Sequence, residues 1–329
     1  MIYIETASFV SSVNLAFEEY FLKSKEIGDD IFMLWQNEPT IVVGRFQNTL
    51  EEINQAYTDS HNIHVIRRIS GGGAVYHDLG NLCFTFILRN VTPSSADFSK
   101  FTIPVVKALA QMGIQAETSG RNDLTIDGKK ISGIAMALHK NQFLFHGTLL
   151  FDSNLEVLGQ ALNVSTDKIE SKGIKSVRSR VTNIKPYVAT GMQITEFKQT
   201  LKQLILSNDK QNVYDPTIED QTAIQALVEN KYLTWEWNFG NNPTSKIRYS
   251  RRYPGGKVEF NFELEKGFIK FCQIKGDFLG LCDIDEVEER LINTRYTAED
   301  VQNVLATIDI TKHFGSITKE EILQCIMGT

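Results

Sequence analysis

The sequence lacks the features of several common protein classes. Its four cysteines, Cys83, Cys272, Cys282 and Cys325, form no C-x-x-C pair and have no metal-ligand spacing. Neither a disulfide scaffold nor a cysteine-rich metal site is therefore indicated. No apolar run approaches the roughly 20 residues that span a bilayer, and the N-terminal MIYIETASFV has no basic region of the kind that opens a signal peptide. These absences favour a cytoplasmic protein with reduced thiols and no membrane partner.

Several active-site motifs are also missing. No Gly-Lys-Ser/Thr follows a glycine run at P-loop spacing, and the dinucleotide fingerprint G-x-G-x-x-G does not occur. No G-x-S-x-G sequence marks a serine nucleophile. The net charge of -6 argues against a general nucleic-acid-binding protein. An anion site in this chain therefore needs another architecture.

The most informative stretch is a run of three glycines at residues 71–73, between two predicted strands at residues 64–69 and 82–88. Glycine permits positive φ and close approach of the backbone to a ligand, and successive N–H groups can form a nest for anions. The charged and polar neighbours of the run are Arg67, Arg68, Ser70, His77 and Asp78. A flexible hairpin turn is the plain alternative, but two arginines before the run favour a phosphate or carboxylate site.

A second group of polar residues surrounds a predicted tight turn. Asp-Gly at residues 127–128, between two β-like runs, is a strong hairpin signal. The turn brings Lys130 back past Asn122 and Asp123. Taken alone, a lysine beside a carboxylate is a solvated ion pair. Gly133, which leaves room for a ligand, favours a site where Lys130 neutralises a phosphate and a carboxylate together.

The apolar periodicity predicts two α+β domains. Helical patterns cover residues 12–23 and, from a capping-box pattern at Thr49, the residues to about Tyr57. The stretch 237–250, rich in Gly, Asn, Pro and Ser, predicts the domain boundary and divides the chain into residues 1–240 and 241–329. Beyond it, strands at 257–264 and 268–274 precede helices, an order typical of α+β domains.

Four segments resemble the successive signatures of the lipoate–protein ligase family: RRISGGGAVYHDLGN, GRNDLTIDGKKISG, FHGTLLF and KGIKSVRSRVTN. They occur in the order and spacing of that family, and with GDFLG the resemblance covers essentially the whole chain. It implies a fold shared with biotin protein ligases, a mixed β-sheet with helices, plus a small α+β C-terminal domain. It also implies that lipoate and ATP with Mg²⁺ form lipoyl-AMP and pyrophosphate. A carrier lysine then takes the lipoyl group as an amide.

The resemblance implies roles for individual residues. Lys130 would be the catalytic lysine that bridges the lipoyl carbonyl and the AMP phosphate, with the catalytic Asp123 near the phosphate or its magnesium. The positions matched to the nucleotide are Arg68, Ser70, Gly71, Gly72, Gly73, Ala74, Val75, Tyr76, Asn122, Lys130, Arg178 and Arg180. The positions matched to lipoate are Trp35, His77, Lys130, Gly133 and His146. By itself, His146 at the start of an apolar strand reads as a structural histidine.

The implied partners are lipoate, or octanoate as an alternative acid, and carrier proteins. The carriers would be apo lipoyl domains of 2-oxoacid dehydrogenases and the glycine-cleavage H protein. A monomer is favoured. Ile134 and Met136 replace residues that are polar in many relatives, which leaves the acyl or carrier preference open. Two alternatives also stay open: a non-catalytic lipoate-binding protein, and a thioester-based octanoyl or lipoyl transferase. The transferase would need a low-pKa thiol, whereas Cys83 reads as a core residue.

Overall fold

A computed structural model describes residues 1–25, 27–47, 49–90, 99–120, 122–162, 181–206, 213–239, 247–265, 268–296 and 298–328. The strands are β1 (Ile2–Tyr3), β2 (Ile31–Trp35), β3 (Thr40–Val43), β4 (His64–Arg67), β5 (Val75–His77), β6 (Asn81–Leu88), β7 (Glu117–Ser119), β8 (Asp123–Ile126), β9 (Lys129–His139), β10 (Gln142–Leu150), β11 (Ile247–Tyr253), β12 (Gly256–Glu265) and β13 (Phe268–Gly276). The described α-helices are α1 (Ser11–Lys23), α2 (Thr49–Glu52), α3 (Gln55–Ser60), α4 (Ser99–Gln111), α5 (Leu155–Ala161), α6 (Ile194–Leu206), α7 (Ile218–Leu227), α8 (Trp235–Asn238), α9 (Asp285–Leu291), α10 (Ala298–Ala306), α11 (Ile310–Phe314) and α12 (Lys319–Met327). A 3-10 helix covers Lys185–Tyr187, and a π-helical turn, Val228–Tyr232, continues α7.

The N-terminal part of the molecule contains a seven-stranded mixed sheet. Its strands lie in the order β1-β2-β6-β10-β9-β8-β7. Among the described strands of this sheet, β1 and β2 pair parallel and every other neighbouring pair is antiparallel. Alternate side chains of each strand serve opposite faces. Phe32 and Phe84 pack with α4 and α6 on one face. Met33 and Cys83 pack with α1 and α7 on the other. Because both faces are covered, the central strands are apolar almost throughout.

A smaller sheet, in the order β4-β3-β5, holds the glycine run. β3 pairs parallel with β4 and antiparallel with β5. The run at residues 71–73 therefore connects two strands that lie on either side of β3. The run is therefore not the tight turn of a hairpin, and the alternative of a flexible hairpin turn is wrong.

The predicted hairpin is confirmed. β8 and β9 pair antiparallel across the turn, where Asp127 has a φ of 50° and Gly128 a φ of 72°. Positive φ at both central residues is the geometry that Asp-Gly favours. A register shift between Leu124 and Thr125 then places Lys130 opposite Thr125 and Gly133 opposite Asp123.

The C-terminal part forms a three-stranded sheet, in the order β11-β12-β13, packed against α9 to α12. The two predicted strands are confirmed, but the arginine-rich β11 was not predicted. The predicted helix from Thr49 is wrong in form, because α2 and α3 are two short helices. The Thr49 hydroxyl donates to the Asn238 carbonyl and accepts from Arg67, and both partners are distant in the chain.

Candidate active site

A cavity of about 110 Å³ lies between the glycine loop, the β8–β9 hairpin, β10 and the start of α1. The predicted site residues that line it are Trp35, Arg68, Gly72, Gly73, Ala74, Val75, His77, Asn122, Lys130, Gly133 and His146. Leu15, Val42, Cys83, Ala135, Gly147 and Thr148 also line it and were not predicted, and Ile134 faces it as well. Arg178 and Arg180 lie outside the residues that the structure describes.

Lys130 stands at the edge of this cavity and pairs with Asp123. The Lys130 Nζ lies 2.7 Å from Asp123 Oδ1, and both side chains are about one-third exposed. A Cβ added to Gly133 would lie 3.0 Å from that Nζ, so glycine leaves the space in which the ammonium sits. A part-exposed ion pair is worth little by itself. The ammonium can therefore move to a phosphate or carboxylate at small cost.

Asn122 holds the other end of the hairpin. Its Nδ2 donates to the Ile134 carbonyl at 2.6 Å, and its carbonyl accepts from the Ile134 N–H at 2.9 Å. These bonds extend the β8–β9 pairing beyond Asp123. The Gly133 N–H donates to Thr148 Oγ1 at 3.2 Å, which ties the hairpin to β10. These bonds hold the backbone of the β8–β9 hairpin that carries Lys130 and Asp123.

The Arg68 guanidinium holds the glycine loop from inside. It is buried and donates to the carbonyls of Val42 at 3.0 Å, Gly71 at 2.6 Å and Gly73 at 2.9 Å. Burial lowers the pKa of Arg68 to about 10, so the side chain stays charged at neutral pH. Arg68 therefore fixes the shape of the loop by binding the carbonyls of Gly71 and Gly73. The N–H groups of the loop are not used in these bonds.

Arg67 has a comparable set of bonds on another side of the loop. Its guanidinium donates to the carbonyls of Gly44 at 2.8 Å and Gln47 at 2.7 Å, and its Nε donates to the Trp237 carbonyl at 2.8 Å. Its bond to Trp237 anchors the end of β4 to α8. The sequence predicts an anion site from these two arginines, but in the structure both guanidinium groups bind backbone carbonyls.

The C-terminal domain contacts the loop from behind. The Gly72 N–H, at a φ of 89°, donates to the Phe278 carbonyl at 3.1 Å. Phe278 also stacks on Phe46, with ring centroids 4.9 Å apart, and Arg45 pairs with Asp283 at 2.7 Å. One N–H of the proposed anion nest is therefore occupied by a carbonyl of the C-terminal domain.

Alanine at position 71 tests this contact. A Cβ on Gly71 would lie 2.5 Å from the Phe278 carbonyl oxygen, so Gly71→Ala forces backbone to shift. We expect it to lower the free energy of unfolding by about 1–3 kcal/mol, measured by urea denaturation. Gly73→Ala is the matched control, because nothing lies within 4 Å of its added Cβ. Equal losses in the two variants would contradict the contact.

Buried polar groups connect Ser70 and His146 to a residue that was not predicted. Ser70 Oγ lies 2.6 Å from His146 Nε2, and His146 Nδ1 lies 3.0 Å from both carboxylate oxygens of Glu18. Glu18 belongs to α1 and is buried. The sequence signal for it is weak, a pair of adjacent glutamates in a helix whose middle is otherwise apolar. His146 thus has both ring nitrogens engaged.

The far wall of the cavity is apolar or neutral. His77 is buried, with its ring 6.0 Å from that of Trp35 and its Nδ1 3.1 Å from Asn37 Nδ2. Burial, followed by the positive charge of Arg68, lowers the pKa of His77 to about 3. His77 is therefore uncharged at neutral pH. Tyr76 points away, into a separate apolar cluster.

Comparison with known proteins identifies the family. Residues 11–205 match the Lipoyl protein ligase A/B catalytic domain, and residues 242–326 match the Bacterial lipoate protein ligase C-terminus. The chain is 44% identical to Lipoate-protein ligase LplJ of Bacillus subtilis, over 95% of this chain and 96% of that protein.

Solved structures agree with the sequence relatives. P. falciparum LipL1 in complex with lipoate has a TM-score of 0.80 and 25% identity, covering 99% of this chain and 98% of that one. Lipoate-protein ligase A bound with ATP has a TM-score of 0.61 and 27% identity, covering 73% of this chain and 97% of that one. The predicted fold, mixed sheets with helices and a C-terminal domain, is confirmed. The chain belongs to the lipoate–protein ligase family.

Proposed function

We propose that this chain is an ATP-dependent lipoate–protein ligase that forms lipoyl-AMP and passes the lipoyl group to a lysine of a carrier protein. The observation that carries this proposal is the position of Lys130, between the glycine loop and an apolar cavity. Trp35, Val42 and Ile134 provide walls for an acyl chain. Relatives bound to lipoate and to ATP support the same assignment of the two substrates.

The first step joins the two substrates. A lipoate carboxylate oxygen attacks the α-phosphorus of ATP, and the bond to the leaving pyrophosphate breaks. Such transfers need positioning and charge neutralisation more than a protein nucleophile. Lys130 supplies positive charge where the carboxylate and phosphate meet. Arg68 fixes the glycine loop that would bind the nucleotide.

The second step releases AMP. The neutral amine of the carrier lysine attacks the acyl carbonyl of lipoyl-AMP, the carbon–oxygen bond to AMP breaks, and the amine proton leaves to solvent. Lys130 again stabilises the phosphate, now as part of the leaving group. The lysine of the carrier must therefore enter near the β8–β9 hairpin.

Magnesium would arrive as the metal complex of ATP. Asp123 is the carboxylate that pairs with the Lys130 ammonium, and it would approach the phosphates once Lys130 moves to them. Within the described ranges, no three His, Cys, Asp or Glu side chains gather as a metal site. This fits Mg²⁺ held by one carboxylate together with phosphate oxygens and water.

The carriers in this proposal are apo lipoyl domains of 2-oxoacid dehydrogenases and the glycine-cleavage H protein, and the reaction takes place in the cytoplasm. The catalytic part would be residues 1–240 and the accessory part residues 241–329. No helix of the described residues is long and apolar enough to cross a membrane.

Isotope exchange between pyrophosphate and ATP tests the first half-reaction. We expect exchange only when lipoate is present. Adding an apo lipoyl domain should then increase its intact mass by one lipoyl group, and only when ATP is present. Exchange without lipoate, or modification of the domain without ATP, would contradict the proposal.

The thioester alternative makes a different prediction about Cys83. This thiol lines the cavity, but burial and the Glu18 charge raise its pKa well above the ordinary value, which disfavours the thiolate. We expect Cys83→Ser to keep ATP-dependent lipoylation within about threefold of the original rate, with no hydroxylamine-labile acyl-enzyme in either protein. A loss of all activity, together with such an acyl-enzyme before mutation, would support the transferase instead.

A further inference from the structure

We propose that Glu18 is the positioning residue of this site, because two hydrogen-bond chains from different walls of the cavity end on its carboxylate. One chain comes from the glycine loop and the other from β2. The proposal rests on the proposed function for its kinetic consequence. The hydrogen-bond arrangement itself can be tested without any turnover.

The first chain begins at Arg68. Its Nε lies 3.0 Å from Ser70 Oγ, which lies 2.6 Å from His146 Nε2, and His146 Nδ1 lies 3.0 Å from the Glu18 oxygens. Arginine can only donate and an ionised carboxylate can only accept. The direction of the chain is therefore fixed at both ends.

This direction decides the state of the His146 ring. Because the Ser70 oxygen accepts from Arg68, the Ser70 hydroxyl hydrogen is available for His146 Nε2. The Nδ1 atom must then carry the ring hydrogen that Glu18 accepts. A neutral ring protonated at Nδ1 satisfies every group in the chain. A hydrogen on Nε2 would instead leave the Ser70 hydroxyl hydrogen without an acceptor in this chain.

The second chain begins at Trp35. Its indole Nε1 donates to Thr85 Oγ1 at 2.9 Å, and the Thr85 hydroxyl donates to Glu18 Oε1. Thr85 and Glu18 are 0% and 1% exposed, so water cannot substitute for these bonds. Trp35 and His146 both line the cavity. Glu18 therefore orients two side chains of the acyl-binding wall.

The Glu18 carboxylate is also linked to the glycine loop, the part of the site matched to the nucleotide. Through His146 and Ser70 it orients Arg68, whose guanidinium binds the carbonyls of Gly71 and Gly73. Its negative charge also balances the positive charge of buried Arg68, and a buried charge without a partner is costly. One residue of α1 thus sets the geometry of the acid-binding wall and of the loop together.

Glutamine at position 18 keeps the size of the side chain but replaces one acceptor oxygen with an N–H donor. One of the two chains must then reverse or break. If the amide nitrogen faces His146, the ring must move its hydrogen from Nδ1 to Nε2. If it faces Thr85, the hydroxyl hydrogen must turn away, and the Thr85 oxygen must then accept from both the amide and Trp35.

The experiment compares Glu18→Gln with Glu19→Gln. Glu19 is the next residue of α1 and is 4% exposed, but it binds Lys23, Lys231 and Tyr232 instead of the cavity residues. Two readouts are used: the ¹⁵N signals of the His146 ring, assigned with His146→Asn, and the KM for lipoate in the exchange assay. Thr85→Val is a third variant, which cuts only the Trp35 chain.

We expect Glu18→Gln to raise the KM for lipoate about tenfold, the size expected for one lost hydrogen bond to a charged group, and to change the tautomer signal of His146. Thr85→Val should raise the KM with the His146 signal unchanged, and it serves if Glu18→Gln does not fold. Glu19→Gln should change neither readout. The positioning role of Glu18 would be overturned if Glu18→Gln kept both the KM for lipoate and the His146 signals of the unmodified protein. It would also be overturned if Thr85→Val kept the KM of the unmodified protein.

The proposed function fails separately, if the unmodified protein shows no lipoate-dependent exchange. The tautomer comparison would then still decide the hydrogen-bond arrangement around Glu18.

Discussion

Lys130→Ala is expected to reduce lipoate-dependent ATP–pyrophosphate exchange by about 10²–10³-fold, the range typical of losing one preorganised group that stabilises charge in a transition state. The ammonium lies at the edge of the cavity, 2.7 Å from Asp123 and beside the space that Gly133 leaves open. Its removal leaves the carboxylate of lipoate and the α-phosphate facing each other without a shared cation. The effect should fall mainly on kcat, because the charge matters most as the two anions combine.

Lys129→Ala is the matched control for this result. Lys129 is the preceding residue of β9 and is exposed, and neighbouring residues of a strand point to opposite faces. We expect the exchange rate of Lys129→Ala to remain within about twofold of the original. Exchange at the original rate in Lys130→Ala would remove Lys130 from the mechanism, and equal losses in both variants would point to a general charge effect.

Arg68→Met is expected to have the second largest effect, lowering both stability and activity. It removes the donor from the carbonyls of Val42, Gly71 and Gly73 and leaves Glu18 as a buried carboxylate without its opposite charge. Unpaired buried groups of this kind cost about 1–3 kcal/mol each. We expect the free energy of unfolding to fall by at least about 3 kcal/mol and the KM for both lipoate and ATP to rise.

Arg67→Met separates the two consequences. Arg67 is similarly buried, with 7% exposure against 5% for Arg68, and it also donates to backbone carbonyls, but it does not line the cavity. Its replacement should lower the free energy of unfolding by a comparable amount. The KM values of the folded fraction should stay near those of the original protein. Equal KM changes in the two variants would show that Arg68 acts only through overall stability.

The sequence predicts well the parts of the site that depend on local signals. The Asp127-Gly128 turn needs only two residues with positive φ, so the placement of Lys130 beside Asp123 could be expected. The three glycines also stand out, since they lie between two predicted strands. In both cases the determining residues are close together in the chain.

Contacts between distant elements were harder to predict. Glu18 meets His146 across 128 residues, and no local pattern distinguishes it from Glu19. Thr49 shows the opposite error: its local pattern predicts the start of one helix to about Tyr57, whereas the structure has two short helices and the Thr49 hydroxyl binds Asn238, 189 residues away. Arg68 matches a nucleotide-binding position, yet in the structure its guanidinium binds loop carbonyls. A direct contact of Arg68 with nucleotide stays a prediction.

The most direct measurement of the central claim is a single-turnover reaction without a carrier. Purified protein is mixed with lipoate and ATP labelled in the α-phosphate, and the bound products are separated after acid quench. The proposed function predicts lipoyl-AMP in an amount close to that of the protein, and its disappearance as AMP when an apo lipoyl domain is added. No labelled adenylate, with the domain nonetheless lipoylated, would contradict it.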